Sequence, residues 1–123
     1  MLRMWHATLN SWRGLVAATK SEAAMREELV ALALGVPLAF VVTPLAWKRL
    51  ALIGVILLLI VVELLNTAIE KLSDRVTSTH DPEIGRIKDM TSAAVGISLA
   101  IAGFTWLLAL AEWVGLARWL GLV

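Results

Sequence analysis

The sequence predicts an all-α membrane protein in which an amphipathic N-terminal surface helix precedes three transmembrane helices. Hydrophobic residues make up 59% of the 123 residues. Mean hydropathy is +0.81, and three apolar runs are long enough to cross a bilayer. A small soluble core could not bury so many apolar side chains. We therefore interpret residues 1–123 as one membrane domain.

The composition also excludes several kinds of partner and site. The chain has no cysteine, so it can form neither a disulfide nor a thiolate metal site. Its net charge of +1 gives no electrostatic basis for binding nucleic acid. The glycine-rich phosphate loops of soluble nucleotide enzymes are absent. The opening residues, MLRMWHATLNSWRG, lack the apolar run of a signal peptide, so we expect them to remain in the mature protein.

The first 20 residues show the pattern of a helix that lies among the lipid headgroups. Their large apolar side chains fall on one stripe of the helix: Met1, Trp5, Leu9, Trp12 and Val16. Thr19 followed by Glu22 matches a capping box, which predicts that a second helix begins near Lys20. The surface helix is therefore expected to end near Lys20, where the helix that leads into the first membrane span begins.

Three apolar runs follow, over residues of about 29–47, 50–70 and 91–111. At a rise of 1.5 Å per residue, each can cross a hydrocarbon core roughly 30 Å thick. Pro44 and the pair Lys48 and Arg49 leave only a tight turn between the first two spans, which predicts a helical hairpin. Residues 112–123 are expected to form a tail on the outer side.

Basic residues predict the orientation, because cytoplasmic segments are enriched in lysine and arginine. Eight of the eleven lie before the first span or between the second and third: Arg3, Arg13, Lys20, Arg26, Lys71, Arg75, Arg86 and Lys88. Only Lys48, Arg49 and Arg118 lie on the other side. We therefore expect a cytoplasmic N-terminus.

The third span carries a stripe of small residues at helical spacing. Ser92, Gly96 and Ala100 recur every four residues, and Gly103 follows. Small side chains let helices approach closely in lipid. Three spans make a thin bundle, so we expect this face to be shared in a homo-oligomer.

A polar stripe, here called the acidic face, runs along the end of the second span. It comprises Glu63, Asn66, Glu70 and Asp74, which fall within an arc of about 80° on a helix of 3.6 residues per turn. Glu63 lies about 20 Å along the helix from Leu50 and therefore inside the bilayer. A carboxylate at that depth is costly unless it is paired, hydrated or protonated.

Further carboxylates flank the spans on the same side of the membrane: Glu22, Glu27, Glu28, Asp81, Glu83 and Asp89. Converging carboxylates suit a hard cation such as Mg²⁺, which usually accompanies phosphate. Lys88, beside Asp89, supplies a positive charge for such a phosphate. Spacing alone leaves three functions open: a lipid- or nucleotide-handling site, a small transporter that uses Glu63, and a buried ion pair that fixes helix register.

The segment ELLNTAIEKLSDR, residues 63–75, resembles the signature of the bacterial integral-membrane diacylglycerol kinases and their undecaprenol kinase relatives. In that signature a glutamate is followed by asparagine three residues later, glutamate seven later and aspartate eleven later. Three further blocks resemble the family at matching spacing: SWRGLVAA (11–18), SEAAMREE (21–28) and GRIKDMTSAAVGI (85–97). The resemblance covers residues 1 to about 115.

The resemblance implies a homotrimer of three-span subunits in the bacterial inner membrane. Such an enzyme transfers the γ-phosphoryl group of MgATP to a lipid hydroxyl, in sites shared between subunits at the cytoplasmic interface. The segments SDR and MTSAAV look more like the diacylglycerol branch, so diacylglycerol is the expected acceptor. Undecaprenol is the alternative acceptor, and a proton-coupled transporter is the alternative in a different class.

The resemblance also implies roles for individual residues. Glu63 resembles the catalytic base that takes the proton of the lipid hydroxyl. Glu22 and Glu70 resemble the carboxylates that hold Mg²⁺ on the nucleotide. Asn66 would orient or stabilise this pair.

The remaining implied roles concern the two substrates. Arg3, Lys88 and Asp89 resemble contacts to ATP, and Arg3 also lies near the lipid. Glu28 and Ser92 match positions that shape the lipid site. The loop of residues 77–85 departs from the family pattern, so the resemblance assigns no adenine contact there.

Overall fold

The computed structural model describes residues 1–77 and 79–121, with the side chains of all of these except residues 116 and 117. This part of the chain forms four helices, which confirms the predicted all-α class. They are α1 (Leu2–Ser21), α2 (Ala23–Val42), α3 (Ala46–Val76) and α4 (Pro82–Trp119). The trimer and the three-span arrangement stay predictions.

Helices α3 and α4 are long and apolar enough to cross a membrane. Only 28% of the most apolar stretch of α3 and 11% of that of α4 is buried within the chain. The core helix of a soluble protein would be mostly buried, so these exposed apolar surfaces fit a lipid environment. Their position in the sequence agrees with the second and third predicted spans.

The corner between α1 and α2 differs from the predicted capping box. Glu22 has an extended backbone and α2 begins at Ala23, three residues after the predicted start. The Thr19 hydroxyl donates to the Leu15 carbonyl of its own helix at 2.7 Å and so cannot cap α2. Arg26 instead secures the corner, because its Nη1 donates to the Thr19 carbonyl at 2.9 Å and to the Lys20 carbonyl at 3.3 Å. These carbonyls lie in the last turn of α1, where helical partners run out.

Helix α2 contains Pro37 and ends at Val42, five residues before the predicted end of the first span. Thr43 is extended, as expected for a residue that precedes proline, here Pro44. Lys48 and Arg49 lie in the first turn of α3 rather than in the turn itself. Helices α2 and α3 then pack against each other, as the predicted hairpin requires.

Two apolar clusters hold the helices together. The first joins Ala18, Met25 and Ile60 from α1, α2 and α3, close along α3 to the acidic face. The second joins α2 to α3 and α4, where Trp106 packs beside Leu52 and donates its indole N–H to the Leu52 carbonyl at 3.0 Å. Helices α2 and α3 therefore each contact all three other helices.

The link between α3 and α4 is short. Helix α3 continues to Val76, six residues past the predicted end of the second span. Helix α4 begins at Pro82, and the Asp81 carboxylate caps it by accepting from the backbone N–H groups of Glu83 at 2.8 Å and Ile84 at 3.2 Å. The helix runs to Trp119, through most of the predicted tail. Residue 78 of the predicted loop and residues 122 and 123 of the tail lie outside the described residues.

Replacing Trp106 with phenylalanine should lower the free energy of unfolding by about 1 kcal/mol, since one partly buried hydrogen bond is lost while most of the packing is kept. Thermal unfolding of the purified protein in detergent micelles would measure this loss. Trp119→Phe is the matched control, because Trp119 is 83% exposed. Equal midpoints for the two variants would contradict the assigned bond.

Candidate active site

Glu63 is the buried centre of the acidic face. Its side chain is 7% exposed, although it lies on a helix whose apolar side chains are largely exposed. Thr67, which is 5% exposed, donates its hydroxyl to Glu63 Oε1 at 3.4 Å. Thr67 is not among the residues predicted for the site. Its spacing of four residues from Glu63 is the signal that could have found this contact.

Three further carboxylates come together around Glu63. Glu22 lies at the corner before α2, Glu28 lies on α2, and Glu70 lies two turns along α3. Glu22 and Glu70 are close enough for their negative charges to act on the Glu63 carboxylate, and the charge of Glu63 in turn acts on Glu28. Neither of the two ion pairs in the described part of the chain includes any of these four residues. The structure thus assembles four of the residues predicted for the site, and it leaves their charge open to an external cation.

A contact between helices holds the corner residue Glu22 against α3. The Lys71 ammonium donates to Ser21 Oγ at 3.1 Å, next to Glu22 and one residue after Glu70. Together with the hydrogen bonds of Arg26 to the end of α1, this contact fixes both sides of the corner. The placement of Glu22 near Glu70 therefore depends on basic residues outside the predicted site.

Glu28 lies immediately before the first predicted span and is partly buried. Its Oε2 is fully buried and has no hydrogen-bond partner among the described residues. Burial of the carboxyl group, and then the negative charges of Glu63 and Glu27, raise the pKa of Glu28 from 4.5 to about 7. At neutral pH this residue can therefore be either charged or neutral.

Asn66 and Glu70 form the more exposed part of the acidic face. The Asn66 side-chain amide donates to Glu70 Oε1 at 3.5 Å, and the role predicted for Asn66 stays a prediction. No group of three acidic or histidine side chains within the described residues is arranged to hold a metal ion. Two carboxylates such as Glu22 and Glu70 still suit Mg²⁺, which usually takes one or two protein carboxylates and completes its shell with water and phosphate.

A groove between α3 and α4 opens beside Asn66. It has a volume of about 290 Å³, and apart from Asn66 and Thr91 its lining is apolar, with Val62, Leu65 and Met90 among the residues. Such a surface can hold a hydrocarbon chain next to the polar groups of the acidic face.

The other predicted site residues lie apart from this cluster within one chain. Arg3, Asp89 and Ser92 are exposed, and the Lys88 ammonium pairs with Asp74 Oδ1 at 3.0 Å. Among the described residues, no hydrogen bond connects these four with Glu63, so their predicted contacts stay predictions.

The comparisons with known proteins agree with one another. Residues 9–110 match the family described as prokaryotic diacylglycerol kinase. A diacylglycerol kinase of Escherichia coli K12 is 46% identical over 96 residues, which cover 78% of this chain and 79% of the relative. One of Pseudomonas aeruginosa is 38% identical over 85% of each chain. One of Haemophilus influenzae is 36% identical over 82% of this chain and 86% of its own.

Glu28→Gln should stabilise the protein increasingly as the pH rises from 4.5 to about 7. The sign follows from the raised pKa, because the fold favours neutral Glu28 and loses that stability as the carboxyl ionises. Thermal unfolding midpoints in micelles, taken across this range, would measure the difference between variant and parent. A difference that stays constant across this range would contradict the raised pKa of Glu28.

Proposed function

Because the chain belongs to the prokaryotic diacylglycerol kinase family, we propose that it transfers the γ-phosphoryl group of ATP to the hydroxyl of diacylglycerol, giving phosphatidic acid. The observation that supports this most directly is the buried Glu63, surrounded by further carboxylates on a helix that fits a lipid environment. A polar site at that position meets a lipid hydroxyl from within the membrane and a nucleotide from the water.

Glu63 acts as the general base in this proposal. It accepts the proton of the lipid hydroxyl while the hydroxyl oxygen bonds to the γ-phosphorus and the bond from that phosphorus to ADP breaks. Thr67 steadies the Glu63 carboxylate through its hydrogen bond, and Asn66 does the same for Glu70. The groove beside Asn66 accommodates an acyl chain of the lipid.

Glu22 and Glu70 hold Mg²⁺ on the nucleotide, and the ion would offset negative charge on the transferred phosphoryl group. Their placement on the outer part of the cluster supports this role, since Glu70 is exposed and Glu22 partly so. Arg3, Lys88 and Asp89 contact ATP in the assembled enzyme. Glu28 and Ser92, together with Arg3 and Glu63, shape the site for the lipid.

The assembled enzyme is a homotrimer of three-span subunits. Support comes from the small-residue stripe of α4: Ser92, Gly96, Ala100 and Gly103 are all exposed in the single chain. A methyl group added to Gly96 or Gly103 would meet no atom within 4 Å, so this face has room for a neighbouring helix. A neighbour packed there could bring its own residues to the acidic face, which explains why one chain does not unite all the predicted contacts. The distribution of basic residues supports a cytoplasmic N-terminus at the inner membrane.

The decisive experiment is transfer of labelled γ-phosphate from ATP to lipid by the purified protein in mixed micelles. We expect label in phosphatidic acid, and a loss of about 10²- to 10⁴-fold in Glu63→Gln, the range that a general base contributes. Glu27→Gln makes the same chemical change at an exposed position and should keep near-parental activity.

Undecaprenol offered separately distinguishes the two lipid acceptors. Label in the polyprenol alone would support phosphoryl transfer from ATP but identify undecaprenol, not diacylglycerol, as the acceptor. No label in either lipid, from folded parental protein, would overturn the kinase and favour proton-coupled transport through Glu63.

Glu22→Gln and Glu70→Gln should each raise the Mg²⁺ concentration needed for half-maximal activity by at least about ten-fold, because each removes one carboxylate from the metal. Titration of MgCl₂ at fixed ATP, after chelation of residual metal, would measure this shift. Glu27→Gln again serves as the matched control. An unchanged Mg²⁺ requirement in both variants would remove these two residues from the metal site.

A further inference from the structure

Asp74 is the one residue of the acidic face without a role in the proposed reaction. It lies on α3 one turn beyond Glu70, on the same side of the helix. Its carboxylate accepts a hydrogen bond from the Lys88 ammonium at 3.0 Å. This contact joins the last turns of α3 to the beginning of α4 across the loop between them.

The contact restrains a side chain that is otherwise free to move. Lysine carries its charge on a flexible four-carbon stem, and ordering that stem costs conformational entropy. The Lys88 side chain is 45% exposed and lies in the second turn of α4. Asp74 therefore supplies the restraint that turns the ammonium toward the acidic face.

The Lys88 ammonium can still bind phosphate oxygens while it is paired with Asp74. A lysine ammonium has three N–H donors and can bond to several oxygens at once. Asp74 takes one of them, so two remain for phosphate oxygens of a nucleotide whose metal is held by Glu70, one turn away. The pair thus orients the cation before the nucleotide arrives.

We propose that Asp74 is a positioning residue for ATP. Asp74 holds the Lys88 ammonium beside the acidic face, so that this ammonium already points toward the nucleotide phosphates when ATP binds. This inference rests on the proposed function, and in particular on the contact of Lys88 with ATP. Asp74 acts through Lys88 and does not itself touch the substrates.

The test compares kinetic constants of Asp74→Asn, Asp74→Glu, Lys88→Met and the double variant Asp74→Asn/Lys88→Met. We expect Asp74→Asn to raise KM for ATP about three- to five-fold, as an exposed ion pair worth up to 1 kcal/mol allows, with kcat within about two-fold. Asp74→Glu keeps the negative charge and should stay within about two-fold of the parent in both constants. Glu83→Gln removes a carboxylate from an exposed position nearby and should change neither constant.

The double variant separates positioning from a general loss of charge. If Asp74 acts only through Lys88, the double variant should have the same KM for ATP as Lys88→Met alone. An additional rise in the double variant would overturn the proposal. A fall in KM for Asp74→Asn would also overturn it, since Asp74 would then compete with phosphate for the ammonium.

Direct binding of ATP distinguishes failure of this inference from failure of the proposed function. Equilibrium dialysis of MgATP against the micellar protein needs no lipid phosphorylation, and Asp74→Asn should weaken binding by the same three- to five-fold. If the parental protein binds ATP without phosphorylating lipid, the proposed kinase activity is refuted. The comparison of ATP binding by the parent and Asp74→Asn then still decides the role of Asp74. Parental protein that phosphorylates lipid while Asp74→Asn binds ATP with unchanged affinity would refute this inference alone.

Discussion

The carboxyl group of Glu63, buried where the apolar part of α3 meets the acidic face, is the constraint on which the rest of the structure depends. Moving such a group out of water without a compensating partner costs free energy, and a charged carboxylate inside a bilayer is especially costly. Thr67 offers one hydrogen bond, which is insufficient for a charged carboxylate. The neighbouring carboxylates of Glu22, Glu28 and Glu70 increase the repulsion rather than relieve it. A chain that concentrates negative charge in this way gains from any ligand that brings cations to it, and MgATP does so.

The architecture serves to keep these repelling groups together. Four carboxylates would separate if they were carried on flexible segments. Here Glu63 and Glu70 lie on α3, and Glu22 and Glu28 lie beside or on α2, which packs against α3. The apolar cluster of Ala18, Met25 and Ile60 joins three helices close along α3 to the acidic face. Arg26 and Lys71 secure the corner from two sides. Neither residue forms an ion pair with Glu63 among the described residues, so they hold the corner without neutralising its carboxylate.

Much of this arrangement could be predicted from sequence, and the failures have physical reasons. The period of the apolar residues and the helical spacing of Glu63, Asn66 and Glu70 identified the helices and the acidic face, because both patterns are local. The capping box at Thr19 was wrong, since a threonine hydroxyl can equally bond to the carbonyl four residues earlier within its own helix. The first span was extended past Val42 because an apolar run shows no break at a proline link, whereas the backbone does. The contacts of Arg26, Lys71 and Asp74 depend on how helices pack, which no single-helix pattern contains.

The two long helices are joined at three levels, and these levels differ in how easily they can change. At the end away from Glu63, Lys48 pairs with Glu112 at 2.6 Å. One turn along α3 from Lys48, the Trp106 indole bonds to the Leu52 carbonyl within an apolar cluster. At the end near the acidic face, the pair of Lys88 and Asp74 is the most exposed of the three, and exposed pairs contribute little to stability. These three side-chain contacts between α3 and α4 are thus less exposed away from the site than beside it. The Lys88 ammonium therefore stays accessible to a nucleotide, while the cluster around Leu52 and Trp106 holds α3 against α4 toward the other end of the pair.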